Sequence, residues 1–140
     1  MYLLDTNVVS ELRRPEKAAG SVRDWAARAS DGIFYLSVIT VLEIQKGILL
    51  AERKDKAKAS SLLVWLETDL LPSFNERILT IDIAVARRCA ALHVPDPRPD
   101  RDALIAATAL VHGMTVVTRN IADFEKTGVP LVNPWAAEAE

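Results

Sequence analysis

MYLLDTN, at residues 1–7, is a short apolar run that ends abruptly in a carboxylate. Residues 2–4 are typical of a strand buried on both faces, as the strands of a parallel sheet are. Asp5 follows this run directly, so it either caps the next helix or belongs to a site. Because open parallel sheets build their sites beyond the carboxyl ends of the strands, the rest of the sequence decides between these two roles.

Strand-like and helix-like patterns alternate along the chain. Strands are predicted at residues 2–4, 33–36, 78–81, 115–118 and 131–133. Helices are predicted at residues 6–12, 21–29, 40–71 (with a break near 53–56), 83–93 and 100–112. Pro72 and Gly113 are expected to end two of these helices. The alternation predicts an α/β fold in which a mostly parallel sheet of four to five strands is covered by helices on both faces.

The composition limits the class of protein. A length of 140 residues predicts one domain spanning 1–140, and 50% apolar residues are enough for a compact core. No apolar stretch approaches the roughly 18 residues of a membrane span, and no signal peptide is expected. The lone Cys89 cannot form an intramolecular disulfide, so we expect it in the core of a cytoplasmic protein. The net charge of −2 gives no global signature of nucleic-acid binding.

Four acids stand after predicted strands or at a helix start, namely Asp5, Glu43, Asp102 and Asp123. Each also has a structural explanation, as a helix cap, a capping box with Thr40, a helix-dipole contact or an exposed loop acid. Two carboxylates about 4 Å apart repel by roughly 4 kcal/mol at an effective dielectric constant near 20, so a cluster needs a shared proton or a divalent cation. Oxygen ligands select Mg²⁺ or Mn²⁺ over zinc. Together the acids predict metal-dependent phosphodiester hydrolysis.

Other interpretations of these acids remain open at this point. A phosphatase with an aspartyl nucleophile would also use an acid after the first strand, but such sites usually have Asp-x-Asp, and position 7 is Asn7. A non-enzymatic module would use the acids only to bind a partner's arginines. Asp100 and Asp102 both stand at the start of the same predicted helix, and if Asp100 caps this helix, Asp102 lies in its first turn. Asp82 is expected to be a cap.

Four segments resemble the PIN-domain family in their order and spacing: LDTNVVSE (4–11), LSVITVLEIQKGI (36–48), DALIAATAL (102–110) and VVTRNIADFEKTGVPLVNPW (116–135). The chain is most similar to bacterial toxins of the VapC type, and the NPW motif resembles the FitB-like branch. The resemblance implies a PIN-like three-layer α/β/α fold. It also implies a Mg²⁺-dependent (or Mn²⁺-dependent) endoribonuclease that acts as the toxin of a type II toxin–antitoxin pair.

The resemblance also implies roles for individual residues. The family's four catalytic acids fall on Asp5, Glu43, Asp102 and Asp123. Asp5 and Asp102 would bind the principal metal, with Asp123 as a further ligand, and a water that the metal activates would hydrolyse the RNA. The residues that would position substrate or water are Thr6, Asn7, Thr118 and Asn120. With Asp5 as a ligand, capping of the first helix is expected to fall to Thr6 or Asn7.

The resemblance implies partners as well. We expect a homodimer, RNA as the substrate, a cognate antitoxin that masks the site, operator DNA bound only through that antitoxin, and no membrane. Candidate contacts to the RNA backbone are Arg13, Arg14 and Lys46. Large apolar residues in the region 40–71 either form the antitoxin surface or pack onto the core: Leu49, Leu50, Leu62, Leu63, Trp65 and Leu66. The alternative function is a catalytically silent acidic pocket that binds an antitoxin and joins in repression of operon DNA.

Overall fold

The structure is a computed structural model that describes residues 1–29 and 33–136. Its strands are β1 (Tyr2–Leu4), β2 (Phe34–Ser37), β3 (Ile78–Leu79), β4 (Thr115–Val117) and β5 (Leu131–Val132). Its α-helices are α1 (Thr6–Leu12), α2 (Gly20–Arg28), α3 (Val38–Glu52), α4 (Lys56–Trp65), α5 (Leu71–Ser73), α6 (Ile83–Leu92), α7 (Asp100–His112) and α8 (Ile121–Phe124). A π-helical segment, Leu66–Leu70, joins α4 to α5.

The five strands form one sheet in the order β3-β2-β1-β4-β5, and every pair is parallel. The first strand of the chain therefore lies in the centre, where Leu3 is paired with Tyr35 on one side and Val116 on the other. The predicted α/β fold with a parallel sheet is confirmed. This order puts Asp5, the residue after β1, in the middle of the carboxyl edge of the sheet.

The sheet separates two apolar cores, and adjacent residues of one strand enter different cores. Leu4 and Val117 belong to the core covered by α1, α2, α3 and α4. Leu3 and Val116 belong to the core covered by α7 and α8. Because side chains alternate along a strand, a strand that is apolar at successive positions is buried on both faces. The sequence MYLL has this property, which explains why it occupies the centre of the sheet.

The predicted cap of α1 is wrong, and α3 begins at Val38 and not at residue 40 as predicted. Asp5, not Thr6 or Asn7, is the N-cap of α1, because its backbone is extended and its carboxylate accepts the N–H of Thr6 at 2.8 Å. The helix after β2 is capped by Ser37, whose hydroxyl accepts the N–H of Ile39 at 3.0 Å. Since β2 leads into α3 without a loop, Thr40 already lies inside the helix and forms no capping box with Glu43.

The region 38–73 is helical with the predicted interruption near residue 54. Asp55 caps α4 by accepting the N–H of Lys58 at 3.1 Å. The expectation that Pro72 ends the helical region is wrong by one residue, since α5 runs to Ser73. Pro72 is the second residue of this short helix, which directly continues the π-helical segment and ends one residue later.

Two helix ends behave as the sequence predicts, and one does not. Asp82 caps α6 by accepting the N–H of Val85 at 2.9 Å. Gly113 ends α7 in the left-handed conformation, at φ 68°. The N-cap position of α7 is Pro99, so Asp100 is the first helical residue and not the cap. Asp102 nevertheless lies in the first turn.

In the described part of the chain, no helix is both long enough and apolar enough to cross a membrane.

The large apolar residues of the region 40–71 divide into two groups. Leu66 is buried, and Leu62, Leu63 and Trp65 are half-buried against the core of α1–α4. Leu49 and Leu50 are exposed. Core packing therefore accounts for four of the six residues, and the pair on α3 remains on the surface.

The two glycines Gly113 and Gly47 allow a matched test of this architecture. Gly113→Ala is expected to lower the free energy of unfolding by about 1–2 kcal/mol, because alanine is strained at a positive φ. Gly47 lies inside α3, and a Cβ added there would have no neighbouring atom within 4 Å. Because alanine has a higher helix propensity than glycine, Gly47→Ala should raise the free energy of unfolding by about 0.5–1 kcal/mol. Urea unfolding of both variants measures the two values. Shifts of the same sign would contradict the assigned helix end.

Candidate functional site

The carboxylate of Asp5 is buried at the carboxyl edge of the sheet, with 6% of the residue exposed. Its Oδ1 accepts the Thr6 N–H at 2.8 Å. Its Oδ2 accepts the Thr118 hydroxyl at 2.8 Å and the Asn7 side-chain amide at 3.2 Å. Burial raises the pKa of Asp5, these hydrogen bonds lower it, and the charge of Glu43 raises it further, so that the pKa lies above its usual value. Asp5 is thus both the helix cap and a member of the acidic group.

Glu43 is brought to the same edge by Thr6. The Thr6 hydroxyl lies 2.6 Å from Glu43 Oε1 and donates its proton there, and it also lies 3.3 Å from the hydroxyl of Thr40. Thr40 is fully buried within α3, one turn before Glu43. The helices α1 and α3 begin directly after the neighbouring strands β1 and β2. The Thr6 hydroxyl therefore forms a bridge between these two helices. The bridge fixes Oε1 of Glu43 and leaves Oε2 outside it.

Asp102 approaches from the opposite layer of helices. It is half-buried in the first turn of α7, and Asp123 is exposed on α8, which packs against α7. Burial raises the pKa of Asp102, and the charges of Asp123, Asp5 and Glu43 raise it further, to about 6. The other three acids predicted from the sequence therefore act on the carboxyl group of Asp102. The fold concentrates negative charge at this edge.

One cation lies within this acidic group. Arg101 Nη1 is 3.8 Å from Glu43 Oε2, and 44% of the Arg101 side chain is exposed. An exposed ion pair of this kind contributes little to stability, so Arg101 offsets the charge of the acids only partly. The sequence analysis did not select Arg101, although its position directly before Asp102 would have been the signal.

The residues predicted to position substrate or water occupy three different places. Thr118, directly after β4, binds Asp5, and Asn7 bridges Asp5 and Thr118 through its amide, at 3.2 and 3.3 Å. Thr6 binds Glu43. The backbone N–H of Asn120 donates to the Thr118 hydroxyl at 3.0 Å. Thr6, Asn7 and Thr118 thus meet the acids through their side chains, whereas Asn120 is linked to them through its backbone.

The donor set suits a hard divalent cation. Its ligating atoms are carboxylate and hydroxyl oxygens, and the excess negative charge that raises the pKa of Asp102 is the charge a cation would neutralise. Within residues 1–29 and 33–136, no three acidic, histidine or cysteine side chains are close enough to enclose an ion. Mg²⁺ keeps several waters and is usually held by one or two carboxylates, so this spacing agrees with its chemistry.

The raised pKa of Asp102 leads to a prediction about the stability of the fold. Its carboxyl group titrates near pH 6 in the folded chain and near 3.9 in the unfolded chain, so folding disfavours the ionised form. The penalty is absent below about pH 4, grows as the pH rises to about 6, and is complete above that. Asp102→Asn should therefore raise the metal-free free energy of unfolding by about 1–2 kcal/mol at pH 7, after allowance for solvent screening, and by almost nothing at pH 4.

Asp100→Asn is the matched control for this measurement. It removes the same charge from the same helical turn, but its side chain is 90% exposed and pairs only with His93 at 3.5 Å. It should change stability little at either pH, because an exposed pair contributes little. Urea unfolding in EDTA at both pH values gives the comparison. A destabilised Asp102→Asn variant at pH 7 would contradict the crowding of charge at this site.

Comparison with known proteins gives the chain its family. It is 35% identical over 140 residues to VapC ribonuclease Y4jK of Sinorhizobium fredii, covering 96% of this chain and 98% of the relative. It is 38% identical over 141 residues to toxin FitB of Neisseria gonorrhoeae, covering 96% and 99%. Among solved structures, FitAB bound to an IR36 DNA fragment matches with a TM-score of 0.81 and 37% identity, over 96% of each chain. A toxin–antitoxin complex from Klebsiella pneumoniae matches with a TM-score of 0.62 and 25% identity, over 96% of this chain and 98% of that one.

These similarities extend over almost the whole length of each protein, and the resemblance of the four sequence segments is confirmed by them. Residues 2–130 match the PIN domain. They include β1 with Asp5, the α3 residue Glu43, and the two acids Asp102 and Asp123 on α7 and α8. The chain belongs to the PIN-domain family.

Proposed function

We propose that this chain is a Mg²⁺-dependent or Mn²⁺-dependent endoribonuclease that acts in the cytoplasm as the toxin of a type II toxin–antitoxin pair. The observation that carries the proposal is the convergence of the four acids on one edge of the sheet, whose charge Arg101 offsets only partly. The raised pKa of Asp102 is a consequence of this convergence. Support also comes from the relatives, which include proteins named as a ribonuclease and as a toxin.

In this proposal Asp5 and Asp102 would hold the principal cation, and Asp123 would be a further ligand that acts through water. A bound cation would supply charge for the phosphate and lower the pKa of a nearby water. Glu43 Oε2 lies outside the Thr6 bridge and 3.8 Å from the exposed Arg101. In this proposal it would accept the proton of the attacking water once Arg101 moves away. Thr118 and Asn7 keep Asp5 in one orientation, so the carboxylate meets cation and substrate without rearrangement.

The proposed partners follow from the same family. We infer a cognate antitoxin that covers the acidic edge and carries the contacts to operator DNA, as well as a homodimer of this chain. The exposed pair Leu49 and Leu50 on α3 is suited to such a protein contact, because large apolar side chains on a surface favour burial against a partner. The structure of FitAB with DNA supports the link to DNA.

The second candidate is a catalytically silent acidic pocket that binds an antitoxin and joins in operon repression. The contact between Arg101 and Glu43 favours this candidate, because it shows that a guanidinium fits against these acids. A basic side chain from a partner would bind there in the same way. An assay of RNA cleavage distinguishes the ribonuclease from the silent pocket.

The cleavage test uses antitoxin-free chain and a single-stranded RNA in Mg²⁺ or Mn²⁺. Asp5→Asn and Asp102→Asn are expected to lower the rate at least about 100-fold, because each removes a carboxylate from the cation. Asp100→Asn, which removes the neighbouring exposed charge, should cut at the rate of the unaltered chain. Direct attack of water on phosphorus predicts products with a 5′-phosphate and a 3′-hydroxyl. Products that end in a 2′,3′-cyclic phosphate, or equal rates in all variants, would reject the mechanism.

Cation binding supplies an independent test. The proton on Asp102 must leave before the carboxylate can hold a cation, so Mn²⁺ affinity should fall about tenfold between pH 7 and pH 5, around the pKa of about 6. Calorimetric titration of metal-free chain with MnCl₂ measures this change. Asp102→Asn should bind Mn²⁺ more weakly at pH 7 and lose most of the pH dependence. An affinity that is constant over this range would exclude Asp102 as a ligand.

A further inference from the structure

Two arginine–tryptophan pairs lie beside the acidic edge. The guanidinium carbon of Arg13 is 5.9 Å from the centre of the Trp65 ring, and that of Arg119 is 5.0 Å from the centre of the Trp135 ring. Both distances fall within the range in which a cation is attracted to the face of an aromatic ring. The chain has three tryptophans, and two of them are paired with arginine in this way.

The pair Arg13–Trp65 is joined to the acids by a groove of about 290 Å³ between α1, α3 and α4. Thr6, Ser10 and Arg13 line it from α1 at helical spacing, so one face of this helix leads from the acids to the guanidinium. Glu43 closes the acidic end, and Lys58 adds a second cation from α4. The groove thus begins at the acidic edge and continues between two positive charges.

The pair Arg119–Trp135 lies on the other side of Asp5. The Arg119 N–H donates to the Asn7 side-chain oxygen at 3.2 Å, and the Asn7 amide donates to Asp5. The carbonyl of Trp135 accepts the Ser21 hydroxyl at 3.2 Å, which holds this residue against α2. Because β1 lies between β2 and β4, the groove beside α3 and the segment after β4 flank Asp5 from opposite sides.

We propose that the two pairs are stacking subsites for the unpaired nucleotides on the two sides of the phosphate that is cut. This inference rests on the proposed ribonuclease function. Bases splayed from a single strand stack on aromatic rings and on guanidinium planes, and the cations attract the adjacent phosphates. The bases of a duplex are stacked on one another and are not available to these side chains. Arg119 is exposed and Arg13 half-exposed, so both guanidinium groups are accessible.

Lysine variants separate stacking from charge. Arg13→Lys and Arg119→Lys keep the positive charge but lose the planar group that stacks. They leave Trp65, which packs against the core, unaltered. Arg88→Lys, on the exposed part of α6, is the matched control. Circular dichroism and urea unfolding verify that all three variants fold.

The measurement is fluorescence anisotropy in EDTA, where metal-dependent cleavage is absent, with a fluorescein-labelled 12-nucleotide RNA. The unaltered chain should bind the single strand more tightly than the same RNA annealed to its complement. Each of Arg13→Lys and Arg119→Lys should weaken binding of the single strand about five- to tenfold, and Arg88→Lys should not. Unchanged affinity in both variants, or equal affinity for single strand and duplex, would overturn the proposal.

The outcome also distinguishes this inference from the ribonuclease proposal. RNA that is cut normally by the chain but bound equally by all variants would reject the stacking subsites and retain the nuclease. RNA that is bound with the expected ranking but never cut would retain the subsites and reject the nuclease. Lysine variants that bind RNA normally but no longer co-purify with the antitoxin would overturn the proposal and assign the two pairs to the protein partner.

Discussion

The burial of the Asp5 carboxylate at the end of the central strand is the constraint on which the edge of the sheet depends. A buried carboxylate needs several hydrogen bonds. Here the donors are the backbone N–H of Thr6 and the side-chain amide of Asn7 at the start of α1, and the hydroxyl of Thr118 after β4. Satisfying this one group therefore fixes Thr6, Asn7 and Thr118. Thr6 in turn positions Glu43, so the geometry of the site follows from a requirement of folding.

The acids that the proposed function requires also lower the stability of the metal-free fold. A cluster of acids that raises the pKa of Asp102 to about 6 destabilises the metal-free fold at neutral pH. The two cores on either side of the sheet compensate for this cost, because successive residues of β1 and of β4 are buried on opposite faces, namely Leu3, Leu4, Val116 and Val117. The parallel sheet thus supplies both the stability and the edge at which charge is concentrated.

Much of this arrangement could be predicted from the sequence, because the signals were local or periodic. The run MYLL predicted a strand buried on both faces, and Asp82 and Gly113 marked helix ends through their intrinsic conformational preferences. The capping role of Asp5 was missed because a cap and a member of the acidic group were treated as exclusive, although its two oxygens make separate contacts. The bridge from Thr6 to Glu43 and the contact between Arg101 and Glu43 could not be predicted, since both join elements that only the packing of helices brings together.

The central position of β1 has a consequence for the order in which the site is assembled during synthesis. The strand that carries Asp5 is made first, but its neighbour β4 ends only at Val117, and the contact between Asp5 and Thr118 spans 113 residues. Contacts that are so distant in sequence form late in folding, because a long loop must close first. A ribosome that has made the first hundred residues therefore carries a chain without Asp102, Thr118 or Asp123. The acidic group is therefore complete only after β4 and α8 have been made.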